Sequence, residues 1–328
     1  MEPPEFSATH AEKVSKRAEA LAAKARRGGP NMEDYISAAL QLLGGLDVLE
    51  DANGPAWREE IGKALGSFAL SVLATERGIG EAVDSGDENG NAAASGLVSF
   101  LLSFASRAAS RDRLNLFTTN YDRLIEFGCD LVGLRPVDRF VGGLAPRFRA
   151  SRLDVDLHYN PPGIRGEPRY LEGVVRLTKL HGSIDWRYEN RELRRVALPF
   201  GAPSAEAALG SDAYESLIIY PNPAKDVETL EYPYAELFRD FSASLCRPNS
   251  ALVTYGYGFG DDHINRIVAD MLTIPSTHLV IVAYDDIGDR IDTFLGSVGR
   301  EPQISLLVGP HLGSLSNLVD HYLPKPAN

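Results

Sequence analysis

The spacing of hydrophobic residues is helical in the first third of the chain. Thr9 and Glu12 have the spacing of a capping box, and Asn31 is suited to cap a second helix. Residues 78–94 are acidic, rich in Gly and Asn and without periodicity, which predicts a mobile loop. Helices are predicted over residues 13–27, 31–43, 57–72 and 97–109.

Beyond residue 110 the pattern changes to short apolar runs that alternate with amphipathic segments. Strands are predicted over residues 115–118, 173–180, 216–220, 251–255, 279–284 and 304–308. Helices are predicted over residues 122–131, 232–245, 261–272, 286–295 and 315–322, and residues 138–172 read as irregular. This alternation is typical of an α/β fold, a Rossmann-like parallel sheet with helices on both faces. We expect a helical N-terminal part over residues 1–110, as a cap or assembly surface, and the sheet core over residues 111–328.

Composition and charge narrow the classes of function. Apolar residues make up 44% of the chain and charged residues 24%, and the net charge is −12. So acidic a surface repels phosphate backbones, which disfavours direct nucleic-acid binding. The two cysteines, Cys129 and Cys246, are too few for a four-cysteine zinc site and are expected to be reduced thiols. No targeting segment or membrane-spanning run is visible, so a cytoplasmic protein is expected.

Two polar motifs follow predicted strands, where ligands of parallel sheets bind. Asn120 comes directly after the first strand and could hold a ribose or a reacting water, although such residues also simply cap helices. His181 ends the strand over residues 173–180, and Gly182 after it permits close backbone approach. A neutral His181 could act as a general base, whereas a lone histidine is more often structural.

A third motif, from Tyr255 to Asn265, is a glycine-spaced turn between a strand and a helix. Backbone N–H groups and the helix dipole at such a turn favour anions, typically phosphate. Tight turns also produce this spacing, so the position between strand and helix is what favours a binding site. No motif typical of a metal centre, a Walker loop or a serine nucleophile occurs, and no metal is expected.

Taken together, FTTNYD, KLHGSIDW and GYGFGDDHIN resemble the bacterial sirtuin-like family found in antiviral defence. The resemblance covers about residues 30–325 and implies a Rossmann domain that binds NAD⁺ as its substrate. It implies that Asn120 and His181 form the catalytic pair. By motif match the dinucleotide site would be lined by Thr119, Asp122, Gly256, Tyr257, Gly258, Asp262 and His263.

Within that family the chain looks most like the stand-alone sirtuin subunit that assembles on a HerA-type hexameric ATPase. Part of the likeness is the segment IIYPNPAKDVETLEYPYAELFRDF, residues 218–241. The resemblance implies a homo-oligomer that hydrolyses NAD⁺ to nicotinamide and ADP-ribose, depleting NAD⁺ during infection. Deacylating sirtuins carry a zinc ribbon of four cysteines, which is missing here, so deacylation is disfavoured.

Two alternatives remain at this point. The family usually opens with a strand and a GAG-type loop that holds the pyrophosphate, and no such sequence precedes the first helices. Either the chain as given starts downstream of that strand, or the site is incomplete. An incomplete site would make the chain a sensor of NAD⁺ or ADP-ribose, or a scaffold for the ATPase. A nuclease is disfavoured by the acidic surface and by the lack of metal ligands.

Overall fold

The computed structural model describes residues 4–26, 28–105, 112–151, 156–160, 169–189, 192–205 and 232–325. The helices are α1 (Ala11–Lys24), α2 (Met32–Val48), α3 (Gly54–Ser85), α4 (Glu88–Ala105), α5 (Leu124–Val132), α6 (Tyr234–Leu245), α7 (Asp262–Leu272), α8 (Arg290–Val298), α9 (Pro310–Gly313) and α10 (Leu315–Asn317), which continues as a π-helical turn, Leu318–Tyr322. The strands are β1 (Leu114–Thr118), β2 (Arg135–Val137), β3 (Phe140–Val141), β4 (Arg147–Phe148), β5 (His158–Tyr159), β6 (Arg169–Tyr170), β7 (Val174–Lys179), β8 (Trp186–Glu189), β9 (Glu192–Arg195), β10 (Ala251–Tyr255), β11 (His278–Ala283) and β12 (Ile304–Val308).

The beginnings of the first two helices test two predictions about capping. The Asn31 side chain accepts from the N–H of Asp34, whose carboxylate accepts in turn from the N–H of Asn31. This capping box confirms Asn31 as a helix cap. The Thr9–Glu12 capping box is wrong, because His10 occupies the N-cap of α1 and makes no side-chain capping bond.

The loop predicted over residues 78–94 is also wrong. Helix α3 continues to Ser85, and α4 begins at Glu88. Gly90 in this stretch serves packing, since a Cβ there would overlap the carbonyl oxygen of Ala82 on the neighbouring helix. A glycine therefore lets α3 and α4 approach closely, whereas sequence reasoning takes it as a sign of a loop.

The parallel arrangement predicted for the strands is confirmed. In the described ranges β1, β7 and β2 form one parallel sheet, with β7 in the middle. A second parallel sheet has the order β10-β11-β12. Short antiparallel pairs make up the rest of the strands, and the strand predicted over residues 216–220 lies outside the described residues.

Helices α4 and α6 connect the two parallel sheets through side-chain packing. Phe100 of α4 contacts the ring of Tyr255 on β10 at 5.3 Å between centroids, and it packs in a hydrophobic cluster that includes Leu114 of β1. Phe241 of α6 lies edge-on to Phe117 of β1, with ring centroids 4.9 Å apart. Phe241 also belongs to the hydrophobic core that covers β10 and β11. Strands β1 and β10 are therefore held by the same pair of helices.

The N-terminal helices are joined to the rest of the fold by a buried ion pair. Glu76 of α3 is 0% exposed and accepts from the Arg123 guanidinium at 2.6 Å. It also accepts from the backbone N–H of Arg123 at 2.8 Å and from that of Gly201 at 3.1 Å. The bonds satisfy a carboxylate whose burial would otherwise be costly.

The boundary at residue 110 between two parts of the chain stays a prediction. Among the described helices, none is long and apolar enough to cross a membrane.

Candidate functional site

The first two motifs lie side by side because β1 and β7 remain paired to their last residues. Thr118 pairs with Lys179, and the N–H of Leu180 donates to the Thr118 carbonyl at 2.8 Å. Asn120 and His181 each follow their strand by two residues, at the same level of the sheet. The Asn120 side chain is exposed, and its N–H donates to the Thr118 hydroxyl at 3.1 Å. Thr119, which stands between Thr118 and Asn120, is half-buried.

Tyr121 turns inward beneath the two motifs. Its hydroxyl donates to a carboxylate oxygen of Glu33 at 3.2 Å, and its ring centroid lies 6.5 Å from that of His181. Burial, followed by the nearby charge of Glu33, raises the pKa of Tyr121 well above its usual range, so the phenol stays protonated. Glu33 lies at the start of α2, so the N-terminal helices contribute a charge close to the candidate site.

Asp122 fixes the turn between β1 and α5. Its carboxylate accepts from the N–H of Leu124, the first residue of α5, at 3.1 Å. Its carbonyl accepts from the ammonium of Lys179, which is buried and pairs with Glu126 at 3.2 Å. Asp122 thus shapes the turn that carries Asn120, in addition to any contact with a ligand.

His181 is bonded to a residue of the third motif. Its Nε2 lies 3.0 Å from Oδ2 of Asp261, and the two side chains are 14% and 7% exposed. The other carboxylate oxygen of Asp261 accepts from the N–H groups of His263 and Ile264 and caps α7. One aspartate therefore joins the end of β7 to the start of α7, across the two sheets.

This contact also assigns the protons of the imidazole. An ionised carboxylate only accepts hydrogen bonds, so Nε2 of His181 carries the hydrogen and donates it to Asp261. In the neutral ring Nδ1 is then the acceptor. A catalytic triad also pairs a histidine with an aspartate, but there the aspartate accepts from Nδ1, whereas Asp261 faces Nε2.

Sequence reasoning missed Asp261 and assigned the next residue, Asp262, to the site. The N-cap rule could have found it, because the Asp directly before an amphipathic helix is the capping residue and points toward the strand ends. Asp262 is exposed in the first turn of α7. The ring of His263 contacts Phe238 at 6.0 Å and lies 3.0 Å from the Arg266 guanidinium.

The glycine turn of the third motif is held by side-chain bonds. The Tyr257 hydroxyl has two acceptors in reach, the Asp261 carbonyl at 3.1 Å and Oδ1 of Asn265 at 2.8 Å. Gly256 has a φ of 65° and open space where a Cβ would stand. A Cβ at Gly260 would lie 2.7 Å from the guanidinium of Arg290, which rests against the turn. A Cβ at Gly258 would meet the same group at 3.4 Å.

The structure therefore brings the three motifs to the carboxyl ends of β1, β7 and β10. The second and third are joined directly through His181 and Asp261. In the part of the chain that the structure describes, Asn120 and His181 make no hydrogen bond to each other. Nor do the described residues group three His, Cys, Asp or Glu side chains in a way that could hold a metal ion.

Comparison with known proteins identifies the region that carries these motifs. A model of the SIR2-like domain matches residues 114–299, which include β1, β7, α7 and every residue assigned above to the strand ends. A search among curated proteins found no match to the sequence.

Proposed function

Because this chain belongs to the SIR2-like domain family, we propose that it hydrolyses NAD⁺ to nicotinamide and ADP-ribose, with Asn120 and His181 at the reacting ribose. The observation that carries the proposal is the bond between His181 and Asp261 at the strand ends. Such a bond gives the imidazole a fixed orientation and a fixed tautomer, which a structural histidine does not need. The neighbouring open rim offers the exposed Asn120 as a hydrogen-bonding partner for a sugar.

In the proposed reaction the bond between C1′ of the ribose and the nicotinamide nitrogen breaks. The electron pair of that bond leaves with nicotinamide, which becomes neutral. A water oxygen forms the new bond to C1′, and Nδ1 of His181 accepts the proton that this water releases. Asp261 stabilises the imidazolium that results. Asn120 holds the ribose and the water close to the reacting geometry.

The residues present fit a dinucleotide. Gly256 leaves open space beside the turn, and the N-terminus of α7 directs its dipole toward the strand ends. We assign Thr119, Asp122, Gly256, Tyr257 and Gly258 to binding, some through the shape of the turns that they form. Asp262 and His263 are assigned to the same site on the resemblance of their motif.

The experiment measures nicotinamide release by the full chain, alone and together with a HerA-type ATPase. His181→Ala is expected to lower the rate by about 10²–10⁴-fold, the usual contribution of a positioned base. Asn120→Ala is expected to lower it as strongly, while both variants keep their affinity for NAD⁺. His311→Ala removes an exposed histidine elsewhere and serves as the control. Turnover by both variants at the wild-type rate would refute the assignment.

The same measurement addresses the sensor or scaffold alternative. A chain that binds NAD⁺ or ADP-ribose but releases no nicotinamide, alone or with the ATPase, would be a binding module.

The resemblance alone adds three further parts to this proposal: NAD⁺ depletion in antiviral defence, assembly as a homo-oligomer and the HerA-type partner. Co-purification of the two proteins at a fixed ratio would support the partner, and separate elution would argue against it.

A further inference from the structure

A cavity of about 590 Å³ lies between the end of α1 and the helices α7 and α8. Its lining includes Lys24 at the end of α1 and Arg26 just after it, Asp262 and Arg266 of α7, and Arg290 and Thr293 of α8. Neither His181 nor Asn120 lines it. It extends along the helices away from the strand ends, since Ala269 and Ser297, two turns into α7 and α8, form part of its wall. Phe259, Gly260 and Asp262 of the glycine turn also line the cavity, so it borders the dinucleotide site proposed above but does not include the side chains assigned to the reacting ribose.

The charge of the lining opposes that of the whole molecule. Four cationic side chains and one carboxylate line the cavity, whereas the chain carries a net charge of −12. The hydrogen bonds of two of these cations go to neutral oxygens, from Arg26 to the Thr293 hydroxyl and from Arg290 to the Ile287 carbonyl at 2.8 Å. Among the described residues, no carboxylate forms an ion pair with Lys24, Arg26 or Arg290. In the described part of the chain, Lys24, Arg26 and Arg290 thus bring positive charge to the cavity without a carboxylate paired to any of the three.

We propose that this cavity binds a small molecule carrying a diphosphate, of the size of a nucleoside diphosphate. The volume lies within the range of about 300–1,000 Å³ usual for ligand pockets. Arginine presents a planar fork of donors that matches the oxygens of phosphate. Arg26 and Arg290 both line the cavity, so one diphosphate can engage both. The apolar share of the lining, with Ala269 and the edge of Phe294, suits the body of such a ligand.

The ligand would clamp the N-terminal helices to the second sheet. The end of α1 already lies against the turn before α8, because a Cβ at Gly288 would overlap the carbonyl oxygen of Arg26. A diphosphate held by Lys24 and Arg26 on one side and by Arg290 on the other would bridge these elements. A ligand that binds only the folded state raises the temperature of unfolding, and the rise grows with the logarithm of its concentration above Kd.

The test is calorimetric titration of the full chain with pyrophosphate, ADP and adenosine. Lys24→Glu reverses a charge that lines the cavity, and Lys13→Glu makes the same change at another exposed position of α1. Wild type and Lys13→Glu are expected to bind pyrophosphate and ADP alike. Lys24→Glu should weaken both by about tenfold or more, the loss of one charge-assisted contact. Adenosine, which lacks phosphate, is expected to give no heat.

Arg26→Glu, also at an exposed position, should repeat the loss seen in Lys24→Glu. His181→Ala should bind pyrophosphate as wild type does, so this result does not depend on the proposed NAD⁺ hydrolysis. Equal affinities in Lys24→Glu and Lys13→Glu would overturn the proposal. So would the lack of any pyrophosphate binding to wild type at millimolar concentration, or adenosine binding as tightly as ADP.

Discussion

Replacing Asp261 separates its two tasks, because one oxygen bonds His181 and the other caps α7. Asparagine caps helices nearly as well as aspartate, so Asp261→Asn keeps the cap of α7. With its one carbonyl oxygen at the helix N-terminus, the asparagine places its NH2 against Nε2 of His181, which can accept only after the imidazole moves its proton to Nδ1. The variant also loses the charge at the helix N-terminus, worth about 0.3–1 kcal/mol. Asp261→Ala loses the cap as well, at about 0.5–2 kcal/mol, and leaves the half-buried Nε2 of His181 without its acceptor, at about 1–3 kcal/mol.

The two variants should therefore differ in stability but not in rate. In urea, Asp261→Asn should lower the free energy of unfolding by about 1 kcal/mol or less, and Asp261→Ala by about 2–6 kcal/mol. Both lose the charge-assisted bond that orients His181, about 1.5–3 kcal/mol. If NAD⁺ hydrolysis uses His181 as its base, this corresponds to a decrease of about 10- to 150-fold in kcat. KM should change little, because neither side chain is assigned to binding.

Asp270→Asn is the matched control, since Asp270 is exposed near the other end of the same helix and the substitution removes the same charge. Nicotinamide release gives kcat and KM, and urea unfolding gives the free energy. Wild-type kcat in Asp261→Asn would refute the positioning role and leave Asp261 as a helix cap only. An equal loss of kcat in Asp270→Asn would show that the effect comes from net charge.

Three further predictions concern the stability and reactivity of the fold. Glu76→Gln should lower the free energy of unfolding by about 3–5 kcal/mol in urea, because it leaves the buried Arg123 guanidinium without its counter-charge, and an unchanged midpoint would contradict this. In thermal melts Gly313→Ala should destabilise the protein, because its Cβ would overlap the backbone nitrogen of Tyr284, whereas Gly296→Ala at an open helical position should be neutral or stabilising by up to about 1 kcal/mol. Burial raises the pKa of the Cys129 thiol to about 11, so the thiolate is scarce at pH 7.5. Mass spectrometry after treatment with a thiol reagent should therefore find Cys129 modified only in the unfolded chain. Rapid modification of the native chain would contradict the burial of this thiol.

Much of the architecture could be predicted from short-range patterns. The strands ending at Thr118, Tyr255 and Val308 follow from apolar runs bounded by polar turns, and Asn31 follows from the chemistry of helix caps. Where these patterns mislead, packing is the reason. Sequence reasoning takes the glycine at position 90 as a sign of a loop, but in the structure it is the point where two helices approach closely.

The sequence by itself determined which side chains stand at the ends of the strands, because strand ends and helix starts are encoded by neighbouring residues. It did not determine which of those side chains meet. His181 and Asp261 are 80 residues apart, and Glu76 and Arg123 are 47 apart. The packing of α4 and α6 against both sheets brings the first pair together, and the position of α3 decides the second. Hydrogen bonds and ion pairs act over a few ångströms in space, and distance along the chain does not constrain them.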